Sequence, residues 1–211
     1  MTNCGKLTAR DIRILSLLLD PEALPTAPTP NINNETPTSS FQTDELEHIR
    51  FLEKKAIEMA EYGSVQNAEN LLSQTIMQFP NGPPSLWTNR AQARRLLGNI
   101  DGALDDLGQA ILVAGPSDVG PISSVNAKIL SDAYIHRATI FLLLAKGNIV
   151  SAMVNEDCSE SLMERASQDF SMAGGYGNEL GRMMAVRTNP YAKLCGAIVE
   201  TALRKEMQPI V

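Results

Sequence analysis

The side chains able to act as acids, bases, nucleophiles or metal ligands are few in this sequence and form no catalytic pattern. His48 and His136 are the only histidines among 211 residues. No zinc-ligand spacing, nucleophile-elbow serine motif or Walker phosphate loop occurs. The neighbouring carboxylates Asp105 and Asp106 would point in different directions on a helix, so we expect solvated surface rather than an acid/base pair. The sequence therefore predicts a protein that is not an enzyme and uses no metal or cofactor.

Two features come closest to a chemical site. The glycines of 173–181 could cradle a phosphate, but no strand precedes them and no Lys-Ser/Thr pair follows, which favours a turn between helices. Cys195 lies in an apolar stretch without a nearby histidine, which favours a buried structural thiol over a nucleophile. Together with Cys4 and Cys158 it is too widely spaced for a disulfide framework or a paired metal site.

Charge and hydropathy exclude two further classes of function. The net charge of −6 and the isoelectric point near 5.0 repel a phosphate backbone, so we expect no general nucleic-acid binding. The longest uninterrupted apolar stretch, Ile140 to Ala145, has six residues. A membrane span needs about 20. Because the first residues also lack the pattern of a secretory signal, we expect a cytoplasmic, or also nuclear, protein without membrane contact.

From Thr43 onward almost the whole chain has the apolar spacing of helices, and no alternating strand pattern occurs. Gly63, Gly98 and Gly147 follow apolar runs at positions where helix C-caps belong. The predicted helices are 43–61, 65–78, 84–97, 101–113, 123–145, 160–173 and 190–206. The fold class that follows is all-α, built from paired antiparallel helices.

The first 42 residues differ in composition from the rest. Thr8 caps a short amphipathic helix over 9–19, which ends at Asp20-Pro21. The segment 22–42 is rich in Pro, Thr, Ser and Asn and has few side chains to bury, so it is interpreted as a flexible linker. We therefore divide the chain into an N-terminal region, 1–42, and a helical region, 43–211.

A period of 35 residues runs through the start of the helical region. The matching residues are Leu52 and Trp87, Ala56 and Ala91, Gly63 and Gly98, Ala68 and Ala103, and Leu72 and Leu107. This is the spacing of tetratricopeptide repeats, in which small residues let two helices approach and large apolar residues fill the gaps between them. It predicts two helix-turn-helix repeats.

A third unit repeats the second at two offsets. Tyr134 follows Trp87 by 47 residues, whereas Ala166 follows Ala103 by 63. The difference places 16 inserted residues near 147–161, where a loop is tolerated because closure entropy grows slowly with length. The predicted architecture is a short right-handed solenoid with a C-terminal capping helix over 190–206. Its three repeats cover 49–82, 84–117 and 131–177.

Two segments carry a more specific signal than the repeat spacing. They read NRAQARRLLGNIDGALDDLGQAI, Asn89 to Ile111, and NPYAKLCGAIVETALRK, Asn189 to Lys205. Together they resemble the tetratricopeptide repeat protein 36 family, from which the insertion near 147–161 and the long Pro/Thr linker depart. The resemblance implies an adaptor without catalysis, associated with Hsp70-type chaperones and with tyrosine catabolism through protection of an enzyme of that pathway.

In tetratricopeptide stacks the first helix of each repeat lines a concave groove. The residues expected to bind a partner there are Arg50, Glu53, Ile57, Thr88, Asn89, Gln92, Arg95, Asp132, Ile135, His136 and Thr139. We expect a partner segment to lie along this groove, with its apolar side chains on Ile57 and Ile135 and its backbone and charges fixed by the polar positions.

Domains of this class that grip the acidic tail of a chaperone use a carboxylate clamp. The clamp takes Lys and Asn from the first groove helix, Asn from the second and two basic residues from the third. Asn89 fits, but Glu53 and Ile57 replace the first pair, and Asp132 and His136 replace the last. Because the carboxylates of Glu53 and Asp132 repel the carboxylate of an acidic tail, we expect no conventional clamp. A chaperone would then bind through another surface or a less charged segment.

Three alternatives stay open. Arg90, Arg94 and Arg95 form a basic cluster, which could be a solvated or salt-bridged face or an anchor for an acidic peptide. The expected salt-bridge partners are Glu58, Glu61, Asp105 and Asp106. The helix over 9–19 could fold back on its linker and occupy the groove until phosphorylation or a partner displaces it. Finally, the segment 147–181 could serve a small-molecule or enzymatic role.

Overall fold

The computed structural model of the protein describes residues 32–33, 43–116, 121–152, 154, 158–189 and 191. The predicted helix over 9–19, most of the linker 22–42 and nearly all of the predicted capping helix 190–206 lie outside the described residues. So does Cys195. The findings below concern the described part of the chain.

Helices dominate the described residues. Seven are present: α1 (Thr43–Glu61), α2 (Val65–Gln78), α3 (Ser85–Leu96), α4 (Ile100–Ala114), α5 (Ser124–Ala145), α6 (Ser159–Gly175) and α7 (Glu179–Thr188). The bounds of α1 and α2 coincide with the prediction, and those of α3 to α6 differ from it by at most two residues at either end. None of these helices is long and apolar enough to cross a membrane. The predicted all-α fold class is confirmed.

Glycines end three of the helices in the predicted way. Gly63, Gly98 and Gly147 have φ angles of 82°, 79° and 68°, which lie in the left-handed region that favours glycine. After each glycine, the next N–H donates back to a carbonyl five residues earlier, as Ser64 does to Met59. This bond satisfies a carbonyl at the helix end and turns the chain into the next helix.

The helices pack in chain order, each against its neighbours, and α1, α3 and α5 also contact one another in turn. Alanines at the repeat positions lie between the paired helices: Ala56, Ala68, Ala91 and Ala103 are at most 2% exposed. Trp87 packs against two apolar clusters, one centred on α1 and α2 and the other on α4 to α6. The small and large residues of the period therefore have the packing roles predicted for them.

One helix was missed. Residues 179–188 form α7, which packs along α6, whereas the sequence predicted a turn over 173–181. The turn is real but confined to the residues around Gly177, which has a φ of 90°. The glycines on either side belong to the two helices, because Gly174 and Gly181 are buried where α6 and α7 cross. Both glycines let the two helices pack closely. The sequence did not predict this role because glycine usually disfavours helices.

The described residues also include one pair of two-residue strands, which the sequence did not indicate. β1 (Ile32–Asn33) pairs in parallel with β2 (Ile122–Ser123), which directly precedes α5. A pair of this length is too short to produce an alternating pattern. Ile122 is buried. This pairing holds one point of the predicted linker beside the start of α5.

The segment near 147–161, where the sequence predicts an insertion, covers most of the chain between α5 and α6 and the first three residues of α6. Part of it packs back on α4, because the Ser151 hydroxyl and the Ala152 N–H both donate to the Asp101 carboxylate. Val154 is buried in the same core cluster as α4 to α6. These contacts give the described part of the insertion a structural role.

Candidate functional site

The residues predicted to bind a partner come together on alternate helices. Glu53 lies on α1, Asn89 and Gln92 on α3, and Asp132 and His136 on α5. The Asn89 side-chain amide donates to Glu53 Oε1 at 3.3 Å, and Gln92 Nε2 lies 3.3 Å from His136 Nε2. These two contacts join α1 to α3 and α3 to α5. We call this surface, defined by the five residues just named and their exposed neighbours, the α1–α3–α5 face.

Most of the residues predicted to bind a partner are at least partly accessible on this face. The exposed ones are Arg50, Ile57, Gln92, Arg95 and Asp132, and the half-buried ones are Glu53, Asn89, Ile135, His136 and Thr139. Thr88 is the exception: it is 7% exposed, and its hydroxyl donates to the Ser85 carbonyl at 2.9 Å. Thr88 therefore offers little surface to a partner, because a helical threonine can turn its hydroxyl back to the preceding turn.

Glu53 is the acidic group at the α1–α3 junction. Burial raises the pKa of its carboxyl above the ordinary 4.5, and hydrogen bonds with Ser85 and Asn89 and the charge of Arg50 offset this only in part. Asn89 thus has a structural bond between two helices, in addition to any contact with a partner. The ionised form of Glu53 costs folding free energy because its solvation is incomplete.

We expect Glu53→Gln to raise the free energy of unfolding at neutral pH. A pKa raised in the folded state gives stability that is full below the unfolded pKa and is lost as the pH rises through the folded pKa. The gain of the variant should therefore vanish as the pH falls below 4.5. Urea unfolding across this range measures it, with Glu47→Gln, an exposed position on α1, as the control. An advantage for Glu53→Gln that persists unchanged in acid would contradict the assignment.

His136 occupies the α3–α5 junction. Burial lowers the pKa of its imidazole below 6.5, the positive charge of Arg95 lowers it further, and Asp132 opposes both. The imidazole is therefore mainly neutral at neutral pH, and its Nε2 can accept the proton of the Gln92 amide. The exposed charges among the predicted residues are those of Arg50, Arg95 and Asp132, so this face is mixed rather than uniformly basic.

The basic cluster divides into half-buried and exposed members. Arg90 holds Asp106 with two hydrogen bonds of 2.9 and 2.7 Å, and Arg94 contacts Asp106 at 3.0 Å and Glu69 at 3.2 Å. The salt-bridged interpretation is confirmed for these two arginines, although Glu69 was not among the predicted partners. The expectation that Asp106 is solvated was wrong, since its side chain is 2% exposed. Arg95 alone of the three is exposed.

The same arrangement occurs again between α5 and α6. Arg137 donates to both oxygens of Asp169 at 2.7 and 2.8 Å, and its guanidinium lies 5.5 Å from the Tyr134 ring centre. In the first copy, Arg90 lies 4.9 Å from the ring centre of Trp87. Arg137 follows Arg90 by 47 residues and Asp169 follows Asp106 by 63, which are the offsets of the third unit. These paired charges were missed, although the offsets could have identified them.

The described part of the chain shows no cluster of side chains arranged as a catalytic or metal site. Its residues contain no group of three or more His, Cys, Asp or Glu that could hold a metal ion. Cys158 is an exposed free thiol whose sulfur accepts from the Ser161 N–H at the start of α6. The glycines of 173–181 serve the turn and the crossing of α6 and α7.

Comparison with known proteins places the chain among relatives of similar length. It is 33% identical to the L-tyrosine degradation gene cluster protein hmgX of Aspergillus fumigatus, over 97% of this chain and 95% of that protein. It is 30% identical to tetratricopeptide repeat protein 36 of Mus musculus, over 75% and 72%, and 27% identical to that of Danio rerio, over 97% of both. No family model matches the chain. No solved structure matches it either.

Proposed function

The chain belongs to the tetratricopeptide repeat protein 36 family, and we propose that it is a non-catalytic adaptor that binds a partner protein through the α1–α3–α5 face. The observation that carries this proposal is the pair of contacts, Glu53 with Asn89 and Gln92 with His136, that joins three helices into one surface. Exposed charged and apolar side chains border these contacts. Such a surface suits an extended or helical segment of another protein.

We propose further that α1 to α6 form three tetratricopeptide repeats in a right-handed solenoid. The pairing of neighbouring helices and the contacts among α1, α3 and α5 support this architecture. The two arginine–aspartate pairs with buried carboxylates support it as well, because they lie at equivalent positions of the second and third units. In this architecture α7 begins the C-terminal cap.

The partner we propose is an enzyme of tyrosine degradation. The support is the relative from Aspergillus fumigatus, which is named for an L-tyrosine degradation gene cluster and aligns along almost the whole chain. An Hsp70-type chaperone is the second candidate, but the α1–α3–α5 face favours it less. Asn89, the one clamp residue present, is bonded to Glu53, whose carboxylate would repel an acidic tail.

Two hypotheses from the sequence receive no support from the described residues. A small-molecule or enzymatic role for 147–181 is not favoured, because the described part of this segment binds Asp101, fills the core and packs α6 against α7. Occupation of the face by the helix over 9–19 stays a hypothesis, since that segment lies outside the described residues.

We expect the double change Asn89→Ala/Arg95→Glu to reduce capture of the partner from cell lysate at least tenfold, which corresponds to about 1.4 kcal/mol. Arg95 is exposed, so the variant should keep its helicity, and the lost Asn89–Glu53 bond should lower stability by about 1 kcal/mol. Mass spectrometry of the captured proteins, together with circular dichroism of the variant, measures both effects.

The matched control is Arg187→Glu, which also reverses an exposed charge in the last turn of a helix but lies on α7, away from the face. It should capture the same proteins as the wild type. Equal capture by all three proteins would remove the α1–α3–α5 face from the binding site. Loss of helicity in the double variant would show that its residues support the fold instead.

A further inference from the structure

An open cavity of about 360 Å³ lies at the beginning of α5, next to the α1–α3–α5 face. Its walls come from three parts of the chain that are distant in sequence. Ser124, Lys128 and Asp132 lie on α5, Tyr176 lies in the turn between α6 and α7, and Ile32 lies on β1. The cavity is continuous with the face because Asp132 belongs to both.

The lining of this cavity combines apolar residues (Ile32, Ala127 and the Tyr176 ring) with polar ones, and much of it is held in place. Ala127 is 4% exposed. The ring of Tyr176 is stacked on that of Tyr134, with 6.1 Å between their centres and 13° between their planes. Below the turn, the Asn178 amide donates to the Ser131 hydroxyl at 3.1 Å. The wall is therefore formed before any partner arrives, which lowers the entropy cost of binding.

The rim carries two available charges. Lys128 and Asp132 are exposed and lie one helical turn apart on α5. Neither takes part in an ion pair with any of the residues that the structure describes. Charged residues on either side of a bound side chain could pair with them without displacing an existing contact.

We propose that this cavity receives an aromatic side chain of the partner protein, an inference that rests on the adaptor function proposed above. The volume accommodates a ring, and Ile32 and the Tyr176 ring offer apolar surface against which an aromatic anchor can pack. The open mouth suits a side chain carried on a polypeptide better than a small molecule, which normally has most of its surface buried. Ile32 then completes the binding site, so β1 is part of it rather than only a tether.

The test uses the full-length chain and a library of random dodecapeptides displayed on phage. Peptides enriched on the wild type should share an aromatic residue. Their affinity, measured with the synthesised peptides, should fall at least tenfold for Ser124→Trp, because the new indole fills the cavity. Ser123 caps α5, so this change leaves the N-cap intact. Ile32→Asp should weaken the binding of the same peptides, because it replaces an apolar residue of the cavity wall with a charged one.

The control is Val125→Trp, which adds the same indole at the neighbouring exposed position that does not line the cavity. It should leave the affinity unchanged. Enriched peptides without an aromatic residue, or equal affinities for Ser124→Trp and Val125→Trp, would overturn the cavity proposal. If those peptides still require Asn89 and Arg95, the adaptor function stands without it, whereas a library that yields no binding peptide would contradict both.

Discussion

Replacement of Asp106 by alanine is expected to lower the free energy of unfolding by about 3–5 kcal/mol, because it leaves the largely buried Arg90 guanidinium without a carboxylate partner, whereas Arg94 keeps Glu69. The Asp106 side chain is 2% exposed and accepts hydrogen bonds or ion-pair contacts from Arg90 and Arg94. Those arginine side chains are only 11% and 21% exposed, so water cannot replace the carboxylate fully. Arg90 would keep its contacts with Ser73 and with the Trp87 ring, neither of which neutralises its charge.

Asp105→Ala is the matched control, since Asp105 is the adjacent residue on α4 and is exposed. Its effect should stay within about 0.5 kcal/mol, as for most surface substitutions. Urea unfolding of both variants at the same pH and ionic strength gives the comparison. Similar losses for the two positions would show that the paired charges around Asp106 do not stabilise the fold in the way their geometry indicates.

Gly181→Ala should destabilise the protein by about 1–3 kcal/mol, the usual cost of overpacking. A Cβ at this position would lie 2.8 Å from the Phe170 carbonyl oxygen and 2.8 Å from the Gly174 nitrogen. Both are backbone atoms of α6, so relief requires α7 to move away from α6. The loss should appear both as a lower unfolding midpoint and as weaker hydrogen-exchange protection of α7.

Gly108→Ala provides the opposite expectation. Gly108 lies inside α4, and a Cβ added there meets no atom within 4 Å. The variant should gain up to about 1 kcal/mol, because alanine favours the helix and restricts the unfolded chain. Changes of the same sign at Gly108 and Gly181 would contradict the close approach of α6 and α7.

The helices of the first two units could be predicted closely because local signals agree with the packing there. Apolar spacing, turn glycines and a constant period of 35 residues all indicate the same bounds for α1 and α2. The prediction failed where tertiary contacts reverse a local signal. The glycines of 173–181 read as a flexible turn, yet Gly181 is buried in a helix crossing. The pair of Ile32 with Ile122 joins positions 90 residues apart, which no local pattern reveals.

The candidate site, like the fold, could be predicted only in part. Repeat geometry predicted which side chains lie on the α1–α3–α5 face, since position within a helix determines which residues share a side. It did not determine hydrogen bonding, so the inward hydroxyl of Thr88 and the bond from Asn89 to Glu53 came only from the structure. Asp106 was misjudged because its burial depends on Arg90 and Arg94, which approach from α3. The cavity could not be predicted because two of its lining residues, Ile32 and Tyr176, are far apart in the sequence.

The most direct test of the adaptor function is a titration of the purified full-length chain against each purified enzyme of tyrosine degradation from the same organism, followed by calorimetry. We expect saturable binding to one of these enzymes, at least tenfold weaker for Asn89→Ala/Arg95→Glu and unchanged for Arg187→Glu. Absence of binding to every enzyme would contradict the proposed partner class. Tight binding with the same affinity for the wild type and the double variant would place the interface away from the α1–α3–α5 face.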